Sequence, residues 1–364
     1  MKILGIETSC DETAAAVIEI KHGSFKVLAN AVASSVKLQA KYGGIVPEVA
    51  ARKQMEYIIP ILEQALKSGN SKLNPATAEQ NSKLIDYIAV TTGPGLITSL
   101  RVGVEAAKTL SYVWRKPLVT VNHLEGHIYS ASLNNFQFSI FNFQKLYKIK
   151  FPALALIVSG GHTQLVLMKD YLKYKIIGET LDDAVGEAFD KVAKILRLGY
   201  PGGQIVSKLA QGGDADKIRF PRPMINSGDY NFSFSGIKTA VLYLARDLKK
   251  KITVKQWNNE TMYNICASFQ QACVDVLVNK TLKAAREYKV KTIILGGGVA
   301  ANKKLRNDLA RSVREKLDKV ALLIPEISLT SDNALMIALA GYYKIKEKKF
   351  SNFKKISIDP NLKL

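Results

Sequence analysis

The chain repeats its own plan, and that repetition limits the folds open to it. In the first half, Lys2 to Ile6 reads as a strand, Glu7-Thr-Ser-Cys-Asp-Glu-Thr13 as a polar turn and Ala14 to Ile20 as a second strand. In the second half, Ala153 to Val158, Ser159-Gly-Gly-His162 and Thr163 to Met168 follow in the same order. Farther along each half an apolar strand runs into glycine, Ile85 to Val90 before Gly93-Pro-Gly95 and Thr292 to Leu295 before Gly296-Gly-Gly298, and a helical pattern follows. Glycine at such turns permits positive φ and lets backbone N–H groups approach phosphate oxygens. The echo predicts two α/β lobes built on one template, each opening with a hairpin whose turn can hold phosphate, with a ligand between the lobes.

Two of the four histidines stand together as His123-Leu-Glu-Gly-His127, directly after the strand-like run Pro117 to Val121. Residues four apart are neighbours on a helix face, and neutral imidazole binds Zn or Fe. The pair can therefore share a metal, with a third ligand supplied from elsewhere. In the zincin pattern a Glu directly follows the first His and acts as base, whereas Glu125 lies two residues on, which argues against a zinc protease.

At 364 residues with 47% hydrophobic content the chain can build two ordinary cores. No apolar run approaches the roughly 18 residues of a membrane span. The opening residues enter a strand at once, without the features of a signal or transit peptide, so a cytoplasmic location is expected. Cys10, Cys266 and Cys273 form no CxxC pair, and Cys266 and Cys273 on a predicted helix read as core packing. The net charge of +21, with basic stretches at Lys249 to Lys251 and Lys344 to Lys355, favours a polyanionic partner such as RNA. Lys67 to Lys83 reads as a polar surface connection. Asn134 to Lys150, which mixes Phe136, Phe138, Phe141, Phe143 and Tyr147 with lysines, reads as a partly packed insertion.

Nine motifs occur in order: Leu4-Gly-Ile-Glu-Thr-Ser-Cys-Asp-Glu-Thr13, Gly93-Pro-Gly-Leu96, His123-Leu-Glu-Gly-His127, Val158-Ser-Gly-Gly-His-Thr-Gln164, Gly186-Glu-Ala-Phe-Asp-Lys191, Tyr200-Pro-Gly-Gly203, Phe232-Ser-Phe-Ser-Gly236, Gly296-Gly-Gly-Val-Ala-Ala-Asn302 and Ser331-Asp-Asn-Ala334. Over Met1 to Tyr342 this series resembles the TsaD family, tRNA threonylcarbamoyl transferases of the actin-like ATPase superfamily. The resemblance implies a duplicated actin-like ATPase (ASKHA, ribonuclease H-like) α/β fold with a nucleotide and metal cleft between its lobes. The expected divisions are 1–122 for the first lobe, 123–342 for the second and 343–364 for a basic tail.

The resemblance also implies the reaction: threonylcarbamoyl-AMP donates its threonylcarbamoyl group to N6 of adenosine 37 in tRNAs reading codons that begin with A, giving t6A. A divalent metal, Fe(2+) or alternatively Zn, would be held by His123, His127 and Asp332. Thr330 and Ser331 are N-cap candidates for the apolar helix that follows Asp332. Nucleotide positions carry over to Ile157, Val158, Ser159, Gly160, Gly161, Asp190, Gly203 and Asn302. Asp11 and Glu12, in the first hairpin turn, match the family's acidic pair and are the candidates for organising or deprotonating the adenine N6. The implied partners are tRNA, a TsaB-like dimerisation paralogue and a TsaE-like P-loop ATPase, with a homodimer when the paralogue is absent.

Two positions depart from common family patterns. Gln54 stands where many relatives carry histidine, so no metal or proton-transfer role rests there. Ile157 replaces the tyrosine of archaeal and eukaryotic relatives, which points to the bacterial branch. The alternatives are a carbamoyltransferase of the same superfamily, although the CxxC motifs and acylphosphatase module of its maturation members are missing, and a non-catalytic scaffold subunit, which would lack the metal histidines.

Overall fold

Strand β1 (Lys2–Glu7) is buried along almost its whole length, as a central strand covered on both faces must be, and its apolar run reflects that. It pairs antiparallel with β2 (Glu12–Lys21), which pairs antiparallel with β3 (Ser24–Ser34). On its other side β1 pairs parallel with β4 (Tyr87–Gly93), and β4 pairs parallel with β5 (Leu118–Asn122). A short strand, β6 (Gln144–Lys145), completes the order β5-β4-β1-β2-β3-β6. The computed structural model describes residues 1–68, 84–133, 143–251 and 259–364. Nearly all of the expected connection at 67–83, and the 134–142 part of the aromatic stretch, lie outside the described residues.

Contacts group the described chain into two compact units, Met1–Lys148 with Pro325–Leu364, and Ile149–Ile324. In the first, one sheet face meets the helices Pro47–Ser68 and Ile97–Trp114 through Leu4, Ile6, Ile58, Leu62, Val104 and Trp114. The apolar helix Ala334–Lys346 crosses β1, β2 and β4. Glycine makes that crossing close: a Cβ at Gly5 would lie 2.3 Å from the Ala334 carbonyl oxygen, and one at Gly341 would lie 2.6 Å from Ala89 Cβ. Beyond this helix the chain returns to the sheet, with Ser351 N donating to Leu118 O of β5 at 2.8 Å and Asp359 N to Thr92 O of β4 at 3.0 Å. The points 122/123 and 342/343 both lie in this unit, the first between β5 and the helix His123–Ser130 and the second inside the helix Ala334–Lys346, and those two helices pack against one another.

The second unit holds β7 (Ala153–Val158), β8 (Thr163–Asp170) and β9 (Lys173–Glu179) as an antiparallel meander, with β10 (Thr292–Gly296) and β11 (Ala321–Leu323) parallel to β7. Its order, β11-β10-β7-β8-β9, repeats that of the first five strands, so the echo in the sequence is an echo in topology. Helices Val185–Ile195, Gly202–Ala210, Ser235–Lys251 and Asn259–Glu287 build its core, in which Cys266 and Cys273 are buried. One expected boundary shifts: β2 begins at Glu12 rather than Ala14, because Glu12 and Thr13 pair with Ser34 and Ala33. Asp11 thus remains in the turn, whereas Glu12 is the first residue of a strand.

Candidate functional site

Strand β5 ends at Asn122, whose side-chain oxygen accepts from Leu124 N at 2.8 Å while Glu125 Oε2 accepts from Asn122 N at 3.1 Å. This capping box fixes where the helix His123–Ser130 starts. Lys344 Nζ, 2.7 Å from Glu125 Oε2, ties the box to the helix Ala334–Lys346. Gly126 lets those helices close, since a Cβ there would meet Met336 Cγ at 2.9 Å. The approach brings Asp332 Oδ1 to 3.4 Å from His123 Nε2 and 3.3 Å from His127 Nε2. The expected cap of the second helix is corrected: Asn333 caps it, accepting from Met336 N at 3.1 Å, while the Thr330 hydroxyl donates to Ile327 O. A Ser or Thr at 330 or 331 lies too far upstream of Ala334 to serve.

These residues could hold a metal. Three protein atoms, two imidazole nitrogens and a carboxylate oxygen, lie within 4.8 Å of one another. Bonds of 2.0–2.1 Å at tetrahedral angles separate ligand atoms by about 3.3–3.4 Å, which matches the contacts that Asp332 makes. His127 is fully buried and neither ring nitrogen makes a hydrogen bond, a costly arrangement that a cation on Nε2 would relieve for that atom. The N,N,O donor set suits Zn or Fe and leaves a position open. His123 Nδ1 lies 3.2 Å from Glu7 Oε2 and 3.1 Å from Ser9 Oγ. In the metal-free protein burial pulls the His123 pKa down, but Asp332 and Glu7 outweigh it and lift the value to about 9.

The acidic turn belongs to the same centre. Burial, with the neighbouring carboxylates of Asp332 and Asp11, pushes Glu12 up to about 10, and its Oε1 accepts from Ser34 Oγ at 3.3 Å. Asp11 is half-buried, and its carbonyl is held by the Ser35 N–H and hydroxyl, each at 3.0 Å. Gln54, the position without a metal role, has a structural one. Its Nε2 donates to the carbonyls of Cys10 at 2.9 Å, Glu12 at 3.0 Å and Thr8 at 3.3 Å, which shapes the turn from below. Glu7, Ser9 and Gln54 were not singled out as site residues from sequence. The available signal was a carboxylate ending an apolar, fully buried strand. The whole cluster lies at the carboxyl ends of β1, β4 and β5, where α/β sheets gather ligands.

The second unit carries a cavity of about 720 Å³ lined by Gly160, Asp190, Gly203 and Asn302, together with Lys208, Lys303 and Lys304. A Cβ at Gly160, Gly161 or Gly298 would meet nothing within 4 Å, so the backbone there is open to a ligand. Asp190 Oδ1 accepts from Gly202 N at 2.8 Å and Gly203 N at 3.3 Å. Burial raises its pKa, against the lowering effect of those two bonds. Asn302 caps the helix Lys303–Lys316 through Leu305 N, and its Nδ2 donates to Ser207 Oγ at 2.9 Å and Gln270 Oε1 at 2.8 Å, so both donor hydrogens have protein partners. Ile157 and Val158 are fully buried within β7 and do not line the cavity, and Ser159 and Gly161 also lie outside its lining. Ser159 O instead accepts from Gly186 N at 3.2 Å.

Comparison with known proteins points one way. The model of the TsaD family, described as tRNA N6-adenosine threonylcarbamoyltransferase, matches residues 26–339. A protein of that name from Persephonella marina is 43% identical over 350 residues, covering 95% of this chain and 91% of its own. One from Thermosipho africanus is 44% identical over 364 residues and is covered in full, as is this chain. Among solved structures, full-length HypF in a phosphate- and nucleotide-bound form superposes with a TM-score of 0.53 at 12% identity, covering 96% of this chain and 56% of that one. HypF from T.kodakarensis gives 0.58 at 13% identity, covering 95% and 48%. This chain spans about half the HypF length, and at such identity the likeness shows the fold alone.

Proposed function

Because the chain belongs to the TsaD family, we propose that it is a tRNA-modifying acyltransferase that places a threonylcarbamoyl group on N6 of an adenosine, forming t6A. The observation that carries this reading is the convergence of His123, His127 and Asp332 beside the carboxylates of Asp11 and Glu12, in a chain similar over almost its whole length to enzymes of that name. The acceptor is adenosine 37 of tRNAs reading codons that begin with A, and the donor is threonylcarbamoyl-AMP. The N6 nitrogen attacks the carbamoyl carbon, the bond from that carbon to the phosphate oxygen breaks, and AMP leaves with the electron pair. The N6 proton passes to Asp11, because Glu12, pushed up to about 10, already carries a proton at neutral pH.

His123 Nε2, His127 Nε2 and Asp332 Oδ1 would hold the metal, Fe(2+) by family and Zn by donor set. When bound, the metal supplies Lewis acidity to the threonylcarbamoyl group. Gln54 keeps the acidic turn in shape, and positioning carries much of the rate because an exocyclic amine is a poor nucleophile. In the second unit, the Gly160 and Gly203 backbones and the second oxygen of Asp190 would contact a nucleotide's phosphates and ribose. Asn302 would act there through the shape of the wall, and Ile157 and Val158, buried in β7, only by supporting the strand that leads to the glycine turn. The enzyme would work in the cytoplasm with a TsaB-like paralogue and a TsaE-like ATPase. Among the described residues no helix is long and apolar enough to cross a membrane.

The test is transfer of labelled threonine from fresh threonylcarbamoyl-AMP to unmodified tRNA, with the dimerisation paralogue present. Label should enter tRNA with the native protein and fall by at least about 100-fold, roughly 2.7 kcal/mol, in His123→Ala/His127→Ala. Equal labelling by both proteins would remove the histidine centre from the reaction, and no labelling by either would withdraw tRNA as acceptor.

A further inference from the structure

Glu7 ends β1 with its side chain fully buried, and among the described residues no Lys or Arg pairs with it. A carboxylate so placed is costly unless its oxygens are fully provided with donors. The donors here are specific: Oε1 accepts from Ser9 N at 2.5 Å, and Oε2 accepts from Thr91 Oγ1 at 2.5 Å and faces His123 Nδ1 at 3.2 Å. The Ser9 amide can only donate, so Oε1 must be an acceptor. An ionised carboxylate is acceptor-only as well, so a hydrogen bond from His123 must come from a proton on Nδ1. In the neutral imidazole the other nitrogen, Nε2, then carries the lone pair, and it is Nε2 that faces Asp332.

We infer that Glu7 is a positioning residue of the metal centre: its buried carboxylate takes the Nδ1–H of His123, fixes the imidazole tautomer with Nε2 open and sets the ring's aim toward Asp332 and His127. This rests on the reading that His123, His127 and Asp332 hold a metal, and it assigns a task to a residue outside that ligand set. A carboxylate on the far nitrogen of a ligating histidine orients the ring and raises its basicity, and losing such a partner typically weakens metal binding about 10–100-fold.

Glu7→Gln is a sharp probe because its shape is conserved while its polarity is not. The Ser9 N–H holds the amide oxygen at the Oε1 position, which turns the NH₂ group toward His123 Nδ1. Nδ1 must then accept, the proton moves to Nε2, and the nitrogen that would bind metal is blocked. Two readouts on the full-length protein test this. In the metal-free protein at a pH above about 9, where His123 is neutral, long-range ¹H–¹⁵N NMR of the histidine rings should show His123 protonated at Nδ1 in the native chain and at Nε2 in the variant. In chelator-competition titrations with Co(2+) and Zn(2+), the variant should bind on the order of 10–100-fold more weakly, with Glu7→Asp recovering part of the loss. Unchanged tautomer and unchanged affinity would overturn the inference, as would a variant whose thermal stability falls while its metal affinity does not. Should Glu7→Gln fail to fold, Glu7→Asp, which draws the carboxylate back from His123 Nδ1 by one methylene, must by itself weaken metal binding, and unchanged affinity in that variant would overturn the inference. If the native protein binds neither metal, and His127→Ala behaves identically, the metal reading itself fails, whereas the NMR readout still decides the Glu7–His123 bond.

Discussion

Single residues decide the chemistry of this protein through what surrounds them. His123 and Glu12 both hold protons more tightly in the metal-free folded chain than free side chains do, to about 9 and about 10. Both folded values lie above the unfolded ones, so the folded state binds extra protons between the two. Stability of the metal-free protein should therefore decline as pH rises from about 5 toward 10, and thermal melts across that range check it. A cation arriving between His123, His127 and Asp332 displaces those protons. Metal uptake at neutral pH should release protons, and affinity should rise with pH through about 9; calorimetry in buffers of different ionisation enthalpy measures the number released. His123 and His127 were legible as a pair because their spacing is helical. Glu7 was not, because a carboxylate after an apolar strand looks the same in sequence whether it is a turn residue or the partner of an imidazole more than a hundred residues away.

Elements place those residues, and small residues at their crossings are what lets them. Gly5 gives β1 contact with the backbone of the helix Ala334–Lys346, so Gly5→Ala should push the helix off the sheet and cost about 1–3 kcal/mol in denaturant unfolding. Because Asp332 lies just before that helix, the same variant should also bind metal more weakly. In the second unit, Asp182 holds the start of the helix Ser235–Lys251, with Oδ1 accepting from Phe234 N at 2.8 Å and Oδ2 from the Ser233 and Ser235 hydroxyls at 2.5 Å. Partial burial pushes Asp182 up, but those bonds prevail and hold it below the usual carboxylate range. Its contribution is present above the unfolded value near 4 and is lost as pH falls through the lower folded value. Asp182→Ala should cost about 0.5–2 kcal/mol at neutral pH and flatten the acid limb of the unfolding curve. Strands were legible from apolar runs and glycine. The start of β2 was not, because Glu12 and Thr13 are in a strand only by virtue of their partners in β3.

Over the whole molecule, the duplicated plan explains how one chain carries two kinds of site at corresponding sheet ends. The residues after the helix Ala334–Lys346 extend the first unit beyond that plan and brace the helix that carries His123 and His127. Gly95 N donates to Pro360 O at 3.1 Å and Asn122 Nδ2 to Leu362 O at 3.2 Å, and Asn122 caps that helix. Deleting Ile356 to Leu364 removes the bonds to Thr92, Gly95 and Asn122 and should lower the melting temperature and loosen metal binding, as thermal melts and metal titrations would show. Sequence alone determined the two-fold repeat, the buried strands, the histidine pair and the glycine turns, because each is written in local periodicity and residue type. Only the tertiary structure decided that Asp332 meets both imidazoles, that Glu7 reaches His123 and Gln54 the acidic turn, and that Asn302 gives its amide to its neighbours. Those are contacts between residues far apart in the chain, and their geometry exists only once helices and sheets have packed.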